Sequence, residues 1–214
     1  ILEDNRCASM CLTEPGFYET SESEIEWTNK TMDLSRRATM VSPHEYKIMQ
    51  KKSCFNFWSH SSILKKSTLL DCGGYDAKLG WYADWFVQNV MAFRCGFCYR
   101  PEVFTGLRVS DTSFSAPQRK GGEEERRILC HMLSLLNQPK YSDIRPHIVE
   151  SNVLSIFGVE LLRVIRSNVQ FRGFLTGILE RTILVNHLRK LVFSPFPPKI
   201  KRPIKRWLTY LINM

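Results

Sequence analysis

The sequence lacks three features that would place it in a large protein class at once. No apolar run reaches the roughly 18 to 20 residues of a membrane span, and residues 175–184 are interrupted by Glu180 and Arg181. No basic stretch leading into an apolar core follows Ile1, so no secretory signal peptide is expected. No internal repeat occurs, which argues against a solenoid. A chain of 214 residues, 43% hydrophobic and 24% charged, is typical of a globular protein.

Regular cysteine spacing is also absent. Seven cysteines, an odd number in a chain large enough to fold without disulfides, predict a reducing compartment and therefore the cytoplasm. Cys95 and Cys98 have Cys-x-x-Cys spacing, but they follow a predicted helix, whereas redox thiolates are stabilised at a helix N-terminus. Only Cys7 and Cys11 loosely resemble a second zinc pair. We interpret both pairs as small buried residues.

Charge is distributed unevenly along the chain. Residues 1–116 carry 13 Lys and Arg against 14 Asp and Glu, whereas residues 117–214 carry 17 against 7. The change coincides with a polar stretch rich in Pro and Gly at 115–122. We therefore predict a nearly neutral domain over 1–116 and a basic C-terminal region over 117–214 that meets an anionic partner.

The two regions also differ in predicted secondary structure. In the first, short strands at 6–12, 55–58, 61–64, 97–99 and 103–109 alternate with helices, which predicts an α/β fold. Ser42, Pro43 and Glu45 form a helix start with a capping box, and a helix over 82–95 ends at Gly96. In the second region we predict only helices, at 123–136, 144–166, 169–191 and 203–212.

The stretches 63–76 and 79–86 are the most informative part of the sequence. Gly73 and Gly74 permit positive φ angles and leave space for a ligand, or they serve only as a helix end and turn. Asp84 falls in the first turn of the predicted helix. It is either a general base at a pocket rim or a residue favoured there by the helix dipole.

Together these stretches resemble the acceptor-side half of family 2 glycosyltransferases, which have the GT-A fold. The matching residues are Lys65-Lys66-Ser67, Gly73-Gly74-Tyr75-Asp76, Ala83-Asp84-Trp85, Pro101-Glu102 and Leu107-Arg108. The resemblance covers about residues 1 to 116. It implies a partial GT-A domain with a Rossmann-like mixed sheet, followed by an α-helical C-terminal region.

The resemblance also implies a reaction and a set of site residues. In an inverting transfer, Asp84 would take the proton of an acceptor hydroxyl, which attacks the anomeric carbon of a nucleotide sugar. The substrate-binding residues it implies are His60, Gly73, Gly74, Asp76, Trp81, Trp85 and Arg108. His60 is equally well read as a structural residue. Two positions depart from the family pattern: Ala83 stands where Glu is usual, and Ser110 stands where many relatives have a His.

The largest departure concerns the metal site. GT-A enzymes that use Mn²⁺ or Mg²⁺ hold it with an Asp-x-Asp or similar pair, because the cation offsets the charge of the departing diphosphate. No Asp-x-Asp occurs in these 214 residues. Residues 7–18 resemble the strand and loop that follow the metal site, so we expect the divalent cation and nucleotide-binding half to lie upstream. We expect no metal ligands in this chain and no transfer by this chain alone.

The C-terminal residues suggest a further partner. Residues 199–212 mix Lys and Arg with Trp207, Tyr210 and aliphatic residues, which is typical of a helix on an anionic membrane surface or of a packed helix with a basic face. The expected partners are a nucleotide-sugar donor and a glycan or lipid-linked acceptor, at the inner face of the cell membrane. Two alternatives remain: a non-catalytic membrane-associated scaffold, favoured by Ala83 and Ser110, and a basic nucleic-acid-binding module without a recognised motif.

Overall fold

The computed structural model describes residues 8–20, 25–27, 32–52, 55–108 and 122–193. Its strands are β1 (Met10–Thr20), β2 (Ile25–Trp27), β3 (Thr39–Val41), β4 (Ser62–Leu64) and β5 (Phe97–Arg108). Its α-helices are α1 (Pro43–Lys52), α2 (Lys66–Asp71), α3 (Ala83–Cys95), α4 (Glu123–Leu136), α5 (Arg145–Val149), α6 (Gly158–Ser167) and α7 (Gly177–Phe193). The predicted α/β fold with a helical C-terminal region is confirmed.

The strands form one mixed sheet in the order β2-β1-β5-β3, with β4 also on β1. β1 runs parallel to β5, and the other three strands pair antiparallel. The register of β1 on β5 shifts on either side of Glu14, next to Pro15. Proline cannot donate a ladder hydrogen bond, so an irregularity at this point is expected. The assignment of this sheet to the GT-A fold remains a prediction.

Helix α3 lies at the centre of the molecule. Every residue from 85 to 93 is buried, because the helix has neighbours on all sides. Trp85 packs edge-on against Phe157, with ring centroids 4.6 Å apart, and Phe86 packs against Tyr141 at 5.3 Å. These contacts join the helical region to α3, and one hydrophobic cluster runs through both parts. The predicted domain boundary at 116 lies outside the described residues.

An aromatic cluster joins α1, α3 and β5. The Tyr46 ring lies 4.8 Å from that of Phe93, and the rings of Phe55 and Phe97 stack at 6.0 Å. The Tyr46 hydroxyl donates to Asn89 Oδ1 at 2.6 Å, which satisfies a polar group at the base of this cluster. The cluster explains why residues 55–58, predicted as a strand, instead have no regular structure. They contribute aromatic rings to the core rather than backbone groups to the sheet.

The helix ends follow the sequence closely in the first region. The Ser42 amide donates to the Glu45 carboxylate at 2.8 Å and the Glu45 amide to the Ser42 hydroxyl at 3.3 Å, which is the predicted capping box. Gly96 ends α3 with a φ of 68°. A Cβ on Gly96 would lie 2.3 Å from the Val41 carbonyl oxygen, so no other residue fits there without moving β3.

Two of the predicted long helices are broken. Residues 144–166 form α5, a 3-10 segment at Val153–Phe157 and α6, because Gly158 takes a φ of 60° between the last two. Residues 169–191 form a 3-10 segment at Val169–Phe174 followed by α7, whose Leu179 amide donates to the Thr176 hydroxyl at 3.1 Å. The predicted helix at 123–136 is confirmed as α4. The helix predicted at 203–212 lies outside the described residues.

The Glu14 carboxylate is fully buried in β1 and fixes the segment that leads to β3. It accepts hydrogen bonds from the Asp33 amide at 2.6 Å, the Met32 amide at 3.2 Å and the Tyr99 hydroxyl. Burial, and then the hydrogen bond and charge of Glu14, raise the pKa of Tyr99. A buried carboxylate is tolerated only where donors surround it in this way.

We expect Tyr99→Phe to lower the free energy of unfolding by about 1–3 kcal/mol, because it removes a donor from a buried carboxylate. Urea denaturation followed by circular dichroism measures the change. The control is Tyr75→Phe, at a tyrosine that is 55% exposed, for which we expect a change within about 0.5 kcal/mol. An equal loss in the two variants would contradict the assigned role of Glu14.

Candidate functional site

Asp84 lies in the first turn of α3 and is half-buried. Its Oδ2 accepts a hydrogen bond from the Ser59 hydroxyl, and its Oδ1 accepts from the Trp85 amide at 2.6 Å. No ion pair joins Asp84 to a described residue. The carboxylate is therefore held in one orientation by neutral donors, and no cation of the described residues neutralises it.

Ser59 is held in place by its own 3-10 turn, Ser59–Ser61. The Ser62 hydroxyl donates to the Ser59 carbonyl at 2.8 Å, and Gln88 Nε2 donates to the Ser62 oxygen at 2.9 Å. Gln88 lies one helical turn after Asp84, so the two side chains share a face of α3. Ser59 is thus fixed through Ser62 and Gln88, one turn further along α3 than the Asp84 that it orients.

His60 lies in the same 3-10 turn as Ser59. Its ring is 6.1 Å from that of Trp58, edge to face. Burial lowers the pKa of His60, and a hydrogen bond with the Gly16 backbone acts in the opposite direction. The neutral imidazole is therefore favoured near neutral pH, and the structure places it beside the residue that holds Asp84.

Tyr75, Trp81 and Tyr82 are the aromatic residues of the stretch between α2 and α3. Tyr75 is 55% exposed, and burial together with the negative charge of Asp84 raises the pKa of its hydroxyl. Tyr75 therefore lies within electrostatic range of Asp84. The indole N–H of Trp81 is buried and has no hydrogen-bond partner among the described residues, a rare state for a buried donor.

Asp76 has structural partners. Its carboxylate lies 2.7 Å from His131 Nε2 on α4 and accepts from the Lys78 amide at 2.8 Å. Burial alone would raise the pKa of Asp76, but the hydrogen bonds from His131 and Lys78 keep it below the usual range. This predicted substrate-binding residue thus caps the 3-10 segment Ala77–Tyr82 and ties it to the helical region.

The two glycines form the end of α2. The Gly74 amide donates to the Leu69 carbonyl at 2.9 Å and the Gly73 amide to the Leu70 carbonyl at 3.0 Å, the paired bonds of a Schellman motif. A Cβ on Gly73 would lie 2.6 Å from the Tyr141 hydroxyl, whereas one on Gly74 would meet nothing within 4 Å. Gly73 is therefore required for packing, and Gly74 faces open space.

Of the other two predicted binding residues, Trp85 lies in the core, and the side chain of Arg108 lies outside the described part of the chain. Trp85 is only 7% exposed and packs in the core against Phe157. Arg108 is the last residue of β5, paired with Tyr18, and its side chain lies outside the described part of the chain, as does Ser110. The structure thus brings Ser59, the chain neighbour of His60, onto Asp84, and it places Tyr75 within range of the Asp84 charge.

The described residues do not fit the divalent cation that the resemblance implies. No three His, Cys, Asp or Glu side chains come together within that part of the chain. The partners of Asp84 are a hydroxyl and a backbone amide, and the carboxylate of Asp76 is occupied by His131. No chemical step below is therefore derived through a metal ion.

Ser59 and Gln88 are site residues that sequence reasoning missed. Neither belongs to the glycosyltransferase-like motifs, and a lone serine or glutamine carries no pattern that indicates a contact 25 residues away. The only available signal for Ser59 was its position next to His60. Its contact with Asp84 depends on how the 3-10 turn packs against α3.

Comparison with known proteins adds no assignment. No family model, curated protein or solved structure matches the chain. Within the described ranges, no helix is both long and apolar enough to cross a membrane. Residues 199–212, for which a helix on an anionic membrane surface and a packed helix with a basic face are the two predictions, lie outside those ranges.

We expect Asp76→Ala to lower the free energy of unfolding by about 1–2 kcal/mol at pH 7, since it removes a cap and the partner of His131. The pKa of Asp76 is depressed by folding, so its contribution is present above the unfolded pKa of about 4 and is lost as pH falls through the lower folded value. Denaturation at several pH values tests this.

Asp71→Ala is the control for Asp76→Ala, because Asp71 is exposed at the C-terminal end of α2. An acidic residue at that end is not favoured by the helix dipole, so we expect no loss of stability. A difference between wild type and Asp76→Ala that persists unchanged at pH 2 would contradict the role of the Asp76 charge.

Proposed function

We propose that this chain is the acceptor-side part of an inverting glycosyltransferase, with Asp84 as the general base. One observation carries the proposal: a half-buried carboxylate at the start of a rigid helix, oriented by Ser59 and the Trp85 amide and without a cationic partner among the described residues. A base needs such an arrangement, since it must accept a proton without first releasing a bound cation. The resemblance of residues 1–116 to family 2 glycosyltransferases supports the same role.

The proposed chemistry is a single displacement. The acceptor hydroxyl gives its proton to Asp84, and its oxygen bonds to the anomeric carbon of the donor sugar. The bond from that carbon to the diphosphate breaks, and its electron pair leaves with the nucleoside diphosphate. The configuration at the anomeric carbon inverts, because attack and departure occur on opposite faces of the sugar.

The neighbours of Asp84 suit an acceptor sugar. Tyr75 is largely exposed close to Asp84, and aromatic rings provide apolar faces with a polar tip. We place Tyr75, Trp81 and neutral His60 on the acceptor side. The donor nucleotide and a divalent cation would be held by residues upstream of Ile1 in a longer protein.

We propose the cytoplasmic face of the cell membrane as the site of action, with a glycan or lipid-linked acceptor in cell-surface polysaccharide or glycolipid synthesis. Support comes from the basic surplus of residues 117–214 and from the mixture of basic and aromatic residues at 199–212. Both features would attract an anionic lipid surface.

The first test is the Asp84→Asn variant in the full-length product of the gene that encodes this chain. The assay measures nucleoside diphosphate release from a panel of UDP-, GDP- and dTDP-sugars with Mn²⁺ or Mg²⁺. Because loss of a general base removes its share of the rate, we expect kcat to fall by about 10²- to 10⁴-fold. The matched control is Asp71→Asn, which should leave kcat unchanged. Full activity of Asp84→Asn would remove this residue from the chemistry, and an inactive parent would favour the scaffold.

Ser59→Ala tests whether the hydroxyl positions the base. We expect kcat to fall by about tenfold with little change in KM, because one neutral hydrogen bond that orients Asp84 is lost. Ser59→Thr keeps the hydroxyl and should recover most of the rate. If Ser59→Thr is as slow as Ser59→Ala while both remain folded, the hydrogen bond does not position Asp84.

A further inference from the structure

A cavity of about 670 Å³ lies in the helical region, apart from the residues assigned to glycosyl transfer. It is open to solvent on one side and is lined by the end of α4, the turn that follows it, α5, and Gly173 of the 3-10 segment Val169–Phe174. Its volume falls within the range of about 300–1,000 Å³ that is usual for small-molecule sites. A single inorganic ion would fill only a small part of it.

Arg145 is the unpaired cation of this cavity. Its Nε is buried without a hydrogen-bond partner, and no described residue forms an ion pair with its guanidinium. Six other arginines of the described chain do have carboxylate partners: Arg94, Arg100, Arg126, Arg127, Arg163 and Arg166. A buried guanidinium donor without an acceptor is destabilising unless another group satisfies it.

Two neighbours hold this guanidinium in place. Its central carbon lies 5.1 Å from the centroid of the Phe174 ring, and Phe174 is fully buried. A Cβ built on Gly173 would lie 3.0 Å from Arg145 Nη2, so a side chain at 173 would push against the guanidinium. The Phe174 ring and the lack of a side chain at Gly173 thus set the position of the Arg145 guanidinium before a ligand binds.

The remaining lining indicates the chemistry of the ligand. Glu150, the other charged residue of the lining, is paired with Lys51 at 3.0 Å. The Ser142 hydroxyl already donates to the Pro139 carbonyl at 2.8 Å. The apolar side chains of the wall are Leu136, Pro139, Pro146 and Val149. The amide side chains of Asn137 and Gln138 complete the lining. One cation and a wall that is apolar in part suit a ligand with one anionic end and a short apolar body.

We propose that this cavity binds a small organic oxyanion, a carboxylate or phosphate monoester with an apolar substituent, whose oxygens pair with Arg145. The planar guanidinium matches the oxygens of either anion. The apolar substituent would lie against the proline, valine and leucine side chains. This binding depends only on residues of the helical region, so it stands or falls independently of the proposed glycosyl transfer.

The test is isothermal titration of the complete chain with hexyl phosphate, hexanoate and inorganic phosphate. We expect saturable binding of at least one of the two hexyl compounds, at least tenfold tighter than inorganic phosphate, because only these also bury apolar surface. Absence of saturable binding for both hexyl compounds would overturn the proposal. Equal affinity for inorganic phosphate would overturn the apolar part of the assignment.

Two variants locate the binding. Arg145→Gln should weaken it by about tenfold to a hundredfold, as expected for a charge-assisted hydrogen bond. Gly173→Ala keeps every charge and places a methyl group 3.0 Å from Arg145 Nη2, so the guanidinium must shift by a few tenths of an ångström and binding should weaken less than in Arg145→Gln. Arg163→Gln removes an equal charge from an exposed position on α6 and should bind as wild type does. Unchanged affinity in folded Arg145→Gln, or in Arg145→Lys if the glutamine variant does not fold, would overturn the proposal, because lysine lacks the planar pair of donors.

Discussion

The burial of helix α3 on all sides is the constraint on which the rest of the structure depends. A helix that is apolar around its circumference is stable only where neighbours cover every face. Here α1 contacts α3 through Tyr46, and 3-10 segments of the C-terminal region contact it through Tyr141 and Phe157. The same hydrophobic cluster includes sheet residues such as Leu12 and Tyr99. The polar side chains within the buried stretch, Gln88 and Asn89, are both hydrogen-bonded. The helical region is therefore part of the same hydrophobic core as the sheet.

The same constraint fixes the candidate site. Asp84 begins a helix that cannot shift without opening the core, and Ser59 is tied to that helix through Ser62 and Gln88. Asp76, another acidic residue of the glycosyltransferase-like motifs, is instead used by His131 and a backbone amide. Of these two carboxylates, Asp84 is the one whose partners in the described structure are only a hydroxyl and a backbone amide. The proposed division into one structural and one chemical carboxylate follows from these contacts.

The helical region contains the opposite case, a fixed cation without an anion. Arg145 is held by Phe174 and Gly173 in a cavity whose other charged residue is already paired. The basic surplus of this region is visible in the sequence, yet four of its described arginines are on the surface and paired with glutamates on α4, α6 and α7. Net charge therefore does not identify the cation that is available to a ligand. That cation is identified by its burial and by the absence of a carboxylate partner among the described residues.

The sequence by itself determined the features that depend on neighbours along the chain: the capping box of α1, the end of α3 at Gly96, the bounds of α4, the turn at Gly73 and the α/β class. Each follows from local hydrogen bonding, backbone freedom or periodicity. Only the tertiary structure decided that residues 55–58 join an aromatic cluster instead of the sheet, that Gly158 divides a predicted helix, that Asp76 pairs with His131, and that Ser59 holds Asp84. These outcomes depend on contacts between residues far apart in sequence, and no local pattern specifies which side chains packing will bring together.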